Sequence, residues 1–150
     1  MSARDIASLG QVFTPPSVVA FMLDLCQNKG RVLEPSAGDG AFFASLRERQ
    51  ADCVGIEVDP RVAPPGAEVR DFFDYPLSEQ FDTIIGNPPY VRFQDVAVDT
   101  RKRLKSELFD KRSNLFLFFI EECVRHLKPG GELVFIVPRE FIKLTAAKKL

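Results

Sequence analysis

The stretch Ile84-Ile85-Gly86-Asn87-Pro88-Pro89-Tyr90 ends an apolar run that begins at Phe81, and the rest of the chain is arranged around it. The run predicts a β-strand over residues 81–86. The rigid Pro-Pro step fixes the direction in which the chain leaves this strand. An Asn-Pro step also commonly initiates a plain turn after a strand, so that interpretation stays open for the stretch in isolation.

The residues at the end of this strand suit chemistry at an amino nitrogen. Asn87 offers a side-chain carbonyl and Pro88 a backbone carbonyl, and together they can accept both hydrogens of one NH2 group. Such paired acceptors localise the lone pair of an aromatic amine, which is otherwise delocalised and poorly nucleophilic. Tyr90 offers a flat face on which a planar base swung out of a duplex can stack. We therefore predict Asn87, Pro88 and Tyr90 as catalytic residues.

Predicted helices and strands alternate along the whole chain. Helices are predicted over residues 18–28, 41–50, 98–109 and 114–127, and strands over residues 31–33, 52–58, 68–70, 81–86 and 132–137. Ser17 is expected to cap the first helix, and Lys128-Pro129-Gly130-Gly131 to form a tight turn before the last strand. The alternation predicts a Rossmann-like α/β fold, with a mostly parallel sheet and helices on both faces.

Length and composition indicate one globular domain. A chain of 150 residues that is 45% hydrophobic can bury one sizeable core. It has no apolar run of the roughly 20 residues that cross a bilayer and no apolar signal core at its N-terminus, so we expect a cytoplasmic protein with no membrane partner. The net charge of −1 provides no global basic field for nucleic acid. Three scattered cysteines and one histidine predict no metal site.

Polar residues follow four predicted strands, whose carboxyl ends should meet at one rim of a parallel sheet. They are Glu34 with its glycine-rich turn, Glu57 with Asp59, Asp71 with Phe72, and Asn87 to Tyr90. The Gly38-x-Gly40 pattern lacks a third small residue, because Phe43 stands there, and no lysine follows the glycines. The turn therefore predicts neither a dinucleotide site nor a phosphate cradle.

The same rim suits a cofactor that has an adenosine and a cationic tail. Glu34 can pair with an ammonium group while Gly38 and Gly40 let the backbone approach. Glu57 lies where a carboxylate accepts ribose hydroxyls, and Asp71 can accept from an adenine amine. These features predict S-adenosylmethionine as the cofactor. For each carboxylate alone, capping a short helix or beginning a turn stays open as an alternative.

Five segments, in this order, resemble those of the amino-methyltransferases of bacterial restriction-modification systems. They are Phe13-Thr14-Pro15-Pro16, Glu34-Pro35-Ser36-Ala37-Gly38-Asp39-Gly40, Glu57-Val58-Asp59-Pro60, Asp71-Phe72 and Asn87-Pro88-Pro89-Tyr90. Because the cofactor segments precede the catalytic one, the chain is more narrowly similar to DNA adenine-N6 methyltransferases of the gamma arrangement. The resemblance implies the S-adenosylmethionine-dependent methyltransferase fold, and methyl transfer to the exocyclic amine of a flipped adenine in double-stranded DNA.

The resemblance also implies a set of cofactor-binding residues. Thr14 would contact the methionine carboxylate, Glu34 the methionine end, Glu57 the ribose and Asp71 the adenine amine, with Val58 and Phe119 on the two faces of the cofactor adenine. Ser36, Gly38, Gly40 and Phe72 belong to the same cofactor segments. For Phe119 a plain core position stays open, because it lies on an apolar helix with other phenylalanines.

Compared with the family pattern, only 13 residues follow the predicted strand 132–137. We therefore expect residues 1–150 to form a cofactor-binding catalytic domain that is incomplete at its C-terminus, truncated after the fifth strand and without a target-recognition domain. Contact with double-stranded DNA would then depend on a recognition region missing here. The apolar edge of the last strand is expected to favour self-association.

Two other functions stay open at this point. Asn-Pro-Pro-Tyr also occurs in methylases of glutamine in release factors and of RNA bases, although the N-terminal Thr-Pro-Pro segment favours DNA. A non-catalytic, cofactor-binding partner subunit would carry the same cofactor segments.

Overall fold

The computed structural model describes residues 13–110 and 113–139, and these residues form one parallel sheet with helices on both faces. The strands are β1 (Val32–Glu34), β2 (Cys53–Glu57), β3 (Glu68–Val69), β4 (Phe81–Gly86) and β5 (Leu127–Phe135). The helices are α1 (Pro16–Leu25), α2 (Ala41–Glu48), α3 (Val98–Arg103) and α4 (Leu115–Arg125), with 3₁₀ turns at Phe72–Asp74 and Phe93–Asp95. The predicted α/β fold is confirmed.

Successive residues of the central strands point to opposite faces of the sheet, and this divides the core in two. Val32 of β1 and Ile85 of β4 pack with α1 and α2 on one face. Leu33 and Ile84, one position away on the same strands, pack with Phe119 of α4 on the other face. Both faces are therefore covered, which is why β1 and β4 read as continuous apolar runs in the sequence.

The strand order β3-β2-β1-β4-β5 reverses direction between β1 and β4, and every pairing is parallel. In open α/β sheets ligands bind outside the carboxyl ends of the strands at such a reversal. Glu34 ends β1 and Asn87 immediately follows β4. The topology thus places the two predicted site segments on either side of the switch point.

The start of α1 differs from its prediction. The helix begins at Pro16 rather than after Ser17, and Pro15 holds the cap position. The carbonyl of Pro15 accepts from the amides of Val18 and Val19 at 2.9 and 3.0 Å. A proline is well suited to the first helical position, because its missing N–H would have no intrahelical partner there. The prediction that Ser17 caps the helix was therefore wrong.

Other element boundaries also differ from their predictions, most of all those of β5 and α3. Strand β5 begins at Leu127, and the predicted turn at residues 128–131 is an irregularity within it, where the pairing register with β4 shifts. Within this irregularity Gly130 adopts a φ of 78°, in the left-handed region that favours glycine. Helix α3 ends at Arg103, short of the predicted residue 109.

None of the helices in the described ranges combines the length and apolar character needed to span a bilayer.

Candidate functional site

A cleft opens at the carboxyl ends of the strands, beside the switch point between β1 and β4. It contains about 1100 Å³ of empty space, including the mouth that opens to solvent. The predicted site residues that line it are Thr14, Glu34, Ser36, Gly38, Glu57, Val58, Asp71, Phe72, Asn87 and Phe119. The structure thus brings the predicted strand ends together around one cavity. Their contacts with a ligand stay predictions.

Glu34, the last residue of β1, is only 2% exposed. Its Oε2 atom is buried and accepts no hydrogen bond from the described part of the chain. Burial raises the pKa of this carboxyl well above its ordinary value; the Phe43 backbone amide opposes the shift, and the charges of Asp39 and Glu57 add to it. A cationic ligand group beside Oε2 would favour the charged form, so Glu34 fits the ammonium group of an amino-acid tail.

Glu57 ends β2 and is tied to the glycine-rich turn that follows β1. Its Oε2 accepts from the amide of Gly38 at 2.8 Å, and its Oε1 accepts from the amide of Asp59 at 2.9 Å. No helix lies among the described residues between Glu57 and Glu68, so the alternative that Glu57 caps a short helix was wrong; the carboxylate instead organises its own turn and the turn after β1. A carboxylate offers about four lone-pair positions, so Glu57 can accept from more than one donor at a time.

Asp71 is held by several donors at the edge of the cleft. Its Oδ1 accepts from the amide of Phe73 at 3.1 Å, which caps the 3₁₀ turn. Its Oδ2 accepts from the Thr100 hydroxyl at 2.8 Å and from Nη1 of Arg103 at 3.3 Å. Asp71 therefore begins a turn, as the alternative interpretation held, and also lines the cleft.

Two apolar side chains from different segments of the chain, Val58 and Phe119, line the cleft. Val58 lines the cleft and is 52% exposed, although it is a large apolar residue. Phe119 lines the cleft from α4 and is 3% exposed, with its ring 5.0 Å from that of Phe72. Both interpretations of Phe119 are thus compatible with its position, because it is a core residue with one surface on the cavity.

The segment after β4 is joined to the walls of the cleft through Asn87. The backbone carbonyl of Asn87 accepts from the Ser36 hydroxyl at 3.1 Å. Its side-chain amide donates to Oγ1 of Thr14 at 3.5 Å. Ser36 belongs to the turn after β1, and Thr14 precedes α1. Three predicted segments therefore meet at one asparagine.

Pro88 and Tyr90 lie outside the lining of the cleft. Pro88 is fully buried. The Tyr90 hydroxyl donates to the carbonyl of Ile136, and its ring packs 5.4 Å from that of Phe116. Burial raises the pKa of Tyr90 to about 12. These contacts fix the plane of the Tyr90 ring, which is useful for a stacking platform because little freedom remains to be lost.

Gly40 was predicted to contact the cofactor, but it does not line the cleft. It has a φ of 87° at the start of α2, and a Cβ there would come within 2.6 Å of the Pro64 ring. Its glycine is required by the left-handed turn and by the close approach of Pro64. The structure therefore gives Gly40 a structural role, and its contact with the cofactor stays a prediction.

The sequence analysis missed one wall of the cleft. Its residues come from the segment after Tyr90 and from the end of β3: Arg70, Asp95, Val96, Ala97 and Thr100. The sequence of the segment after Tyr90 predicts only a helix over residues 98–109. Basic side chains of α3 form ion pairs: Arg103 contacts Asp71 and Asp74, and Lys102 contacts Asp99.

Residues 63–150 match the model of the Eco57I restriction-modification methylase family. The chain is 40% identical over 156 residues to the Type II methyltransferase M.TthHB8I of Thermus thermophilus, an alignment that covers 91% of this chain and 36% of that protein. It is 36% identical over 152 residues to M.HincII of Haemophilus influenzae, covering 95% of this chain and 30% of that protein. The chain thus spans about a third of the length of these relatives.

Solved structures share the fold. A protein from Listeria monocytogenes, described as a candidate class I S-adenosylmethionine-dependent methyltransferase, superposes with a TM-score of 0.68 at 21% identity, covering 89% of this chain and 48% of that one. The glycopeptide N-methyltransferase MtfA, solved with S-adenosylmethionine, superposes with a TM-score of 0.52 at 17% identity, covering 83% of this chain and 59% of that one. The parallel sheet and its flanking helices are therefore the Rossmann-like fold found in these methyltransferases.

Proposed function

The chain belongs to the Eco57I restriction-modification methylase family, and from that premise we propose that it is the catalytic region of a DNA adenine-N6 methyltransferase. It would transfer a methyl group from S-adenosylmethionine to the exocyclic amine of an adenine flipped out of double-stranded DNA. The observation that carries the proposal is the position of Asn87, which lines the cleft and is hydrogen-bonded to Ser36 and Thr14.

The cleft supports the choice of cofactor because its lining includes a polar group for each part of S-adenosylmethionine. Glu34 would pair with the ammonium group, Glu57 would accept from the ribose, and Asp71 would accept from the adenine amine. Thr14 and Ser36 would lie near the methionine end, beside Asn87. Val58 and Phe119 would enclose the adenine ring. Gly38 lines the cleft and leaves room for the backbone to approach the cofactor.

Asn87 and Pro88 would act on the acceptor amine. Two carbonyl oxygens that accept both N–H groups favour a tetrahedral nitrogen and concentrate its lone pair. S-adenosylmethionine, when bound, supplies an activated methyl group on a sulfonium that departs as a neutral thioether. Because the backbone and side chain of Asn87 are both tied to the cleft, the amine would be held at a fixed place relative to the cofactor, which lowers the entropic part of the barrier.

The Tyr90 ring would hold the extruded base. Stacking on an aromatic side chain is worth about 1–3 kcal/mol per base and tolerates any base. The selectivity for an amine would therefore come from Asn87 and Pro88 rather than from Tyr90. A base without an exocyclic amine would stack equally well and offer no hydrogens to the two carbonyls.

The proposal is tested with tritiated S-adenosylmethionine and duplex oligonucleotides that carry mismatched adenines, because a mismatched base costs less to extrude. The protein is used in its full natural length. The products are digested to nucleosides and separated. We expect label in N6-methyladenine, and we expect Asn87→Ala to abolish it while cofactor affinity, measured by calorimetry, stays nearly unchanged.

Three results would contradict the proposal. A folded sample with no affinity for S-adenosylmethionine would remove the cofactor assignment. Label in the exocyclic amine of cytosine, or near-normal turnover by Asn87→Ala, would remove the adenine assignment or the mechanism, respectively.

A further inference from the structure

We propose that Thr100 of α3 makes the cleft specific for a 6-aminopurine in the cofactor. Its hydroxyl donates to Asp71, which fixes Asp71 as an acceptor and leaves Thr100 with no hydrogen to donate to the purine. The inference rests on the proposed function and identifies a specificity determinant within it. Thr100 lies 29 residues after Asp71 and belongs to a different element, yet both residues line the cleft.

The hydroxyl hydrogen of Thr100 is committed to Asp71. Thr100 has one hydroxyl hydrogen, and it points to Oδ2 of Asp71 across 2.8 Å. A hydrogen bond to a carboxylate is about twice as strong as one between neutral groups, so the hydroxyl keeps this orientation. The Thr100 oxygen is then left with lone pairs only. At this end of the cleft, Thr100 can accept a hydrogen bond but cannot donate one.

The carboxylate of Asp71 is held in place by three donors. Its Oδ2 already accepts from both Thr100 and Arg103, whereas its Oδ1 accepts from the Phe73 amide. An ionised carboxylate has about four acceptor positions, so one position on Oδ1 remains. The carboxylate cannot rotate to present another edge without breaking these bonds.

Asp71 and Thr100 together therefore offer the purine acceptors and no donor. A 6-amino group brings two N–H donors and suits such a site. A 6-oxo group brings lone pairs, which would face the lone pairs of Asp71 and Thr100. This pair therefore favours adenine over hypoxanthine, because the oxo form would set its own lone pairs against those of Asp71 and Thr100.

Arg103 strengthens the arrangement from outside the cavity. It contacts Asp71 and, through Nε at 3.6 Å, Asp74, but it does not line the cleft. Both Thr100 and Arg103 belong to α3, which is held against the 3₁₀ turn by these contacts. Arg103 acts as a positioning residue, since it reaches the cofactor only through Asp71.

The test compares S-adenosylhomocysteine with its deaminated 6-oxo counterpart by calorimetry on the full chain. We expect the wild-type protein to prefer the 6-amino compound. Thr100→Val, which keeps the shape and removes the hydroxyl, should reduce this preference by about threefold to tenfold, the effect of one hydrogen bond. Thr100→Ser restores the hydroxyl and should restore the preference.

The ratio of the two affinities separates specificity from folding. A loss of structure in Thr100→Val would weaken both compounds alike, whereas the inference predicts a change in their ratio. An unchanged ratio in a folded Thr100→Val, or a wild-type protein with no preference, would overturn the inference. If Thr100→Val is unstable, Asp71→Asn gives a second measurement, because its amide can donate to a 6-oxo group and should shift the ratio toward the oxo compound. A wild-type protein that binds neither compound would instead overturn the proposed function.

Discussion

The amide of Gly38 donates to Oε2 of Glu57 at 2.8 Å, and this bond joins the turn after β1 to the end of β2. The two residues are 19 positions apart and come from neighbouring strands. Glu57 thereby shapes one side of the cleft before any ligand arrives. A single carboxylate thus fixes the glycine turn at the place where the ribose of the proposed cofactor would bind.

Replacing Glu57 should therefore weaken cofactor binding more than the loss of ribose contacts alone. Hydrogen bonds to a charged group are worth roughly 1.5–3 kcal/mol each. Glu57→Ala loses the proposed ribose bonds and releases the Gly38 turn, so we expect an affinity for S-adenosylmethionine at least about tenfold lower by calorimetry. Glu48→Ala, an exposed carboxylate on α2, is the control and should bind normally. Unchanged affinity in Glu57→Ala would remove Glu57 from the site.

The pH dependence of the empty protein should report on Glu34. Burial raises the pKa of the Glu34 carboxyl in the folded state, whereas the unfolded carboxyl titrates near its ordinary value. Between those two pKa values the unfolded chain has lost a proton that the folded chain keeps, so the free energy of unfolding falls as pH rises through this window. Glu34→Gln cannot ionise, and urea unfolding at several pH values should show a weaker dependence.

Cofactor binding should act on Glu34 in the opposite direction. An ammonium group beside Oε2 favours the charged carboxylate, so binding should release a proton and affinity should rise with pH across the same window. Calorimetry in two buffers with different ionisation enthalpies measures that proton. The same release in wild-type and Glu34→Gln would show that the proton comes from another group.

The part of the site that could be predicted from sequence is the part attached directly to strand ends. Glu34, Glu57 and Asn87 each end or follow a short apolar run, and parallel strands bring such positions to one rim. Thr100 could not be found this way, because a loop of no regular pattern carries α3 back to Asp71. The pairing of Arg103 with Asp71 and Asp74 likewise depends on tertiary contacts that leave no periodic signal.

The errors in the predicted fold also have local causes. Residues 128–131 carry strong turn signals, yet β5 continues through them, because pairing with β4 tolerates a register shift. Ser17 is a good capping residue by type, but Pro16 already suits the first helical position. Gly40 belongs to a glycine pattern typical of ligand contact, and only the position of Pro64 shows why glycine is needed there.

Two substitutions at Tyr90 distinguish the contribution of its ring from that of its hydroxyl. Tyr90→Phe keeps the ring against Phe116 and loses the bond to the Ile136 carbonyl, so it should lower the free energy of unfolding by about 1 kcal/mol and leave the hold on a mismatched target base nearly intact. Tyr90→Ala removes the stacking face and should weaken that hold by about 1–3 kcal/mol. The fluorescence of a base analogue at the target position measures the difference. Equal effects of the two substitutions on the analogue would argue against stacking.

Alanine substitutions at the two glycines of the turn after β1 should have different effects on stability and on cofactor affinity. Gly38 has a φ of 54°, and a Cβ there would meet no heavy atom within 4 Å. A left-handed alanine costs roughly 1–2 kcal/mol, so Gly38→Ala should unfold at slightly lower urea concentration. Because Gly38 lines the cleft, the added methyl group should also lower the affinity for S-adenosylmethionine.

Gly40→Ala has the same backbone cost and a collision in addition. Its Cβ would lie 2.6 Å from Cβ of Pro64, in a ring that cannot fold out of the way. We expect a loss of more than about 2 kcal/mol in the free energy of unfolding, since the strained backbone and the overlap add. The fraction that remains folded should bind the cofactor with nearly normal affinity, because Gly40 does not line the cleft. Urea unfolding paired with calorimetry on both variants decides the matter: the roles assigned to the two glycines are wrong if Gly38→Ala proves the less stable protein, or if Gly40→Ala loses affinity while it stays folded.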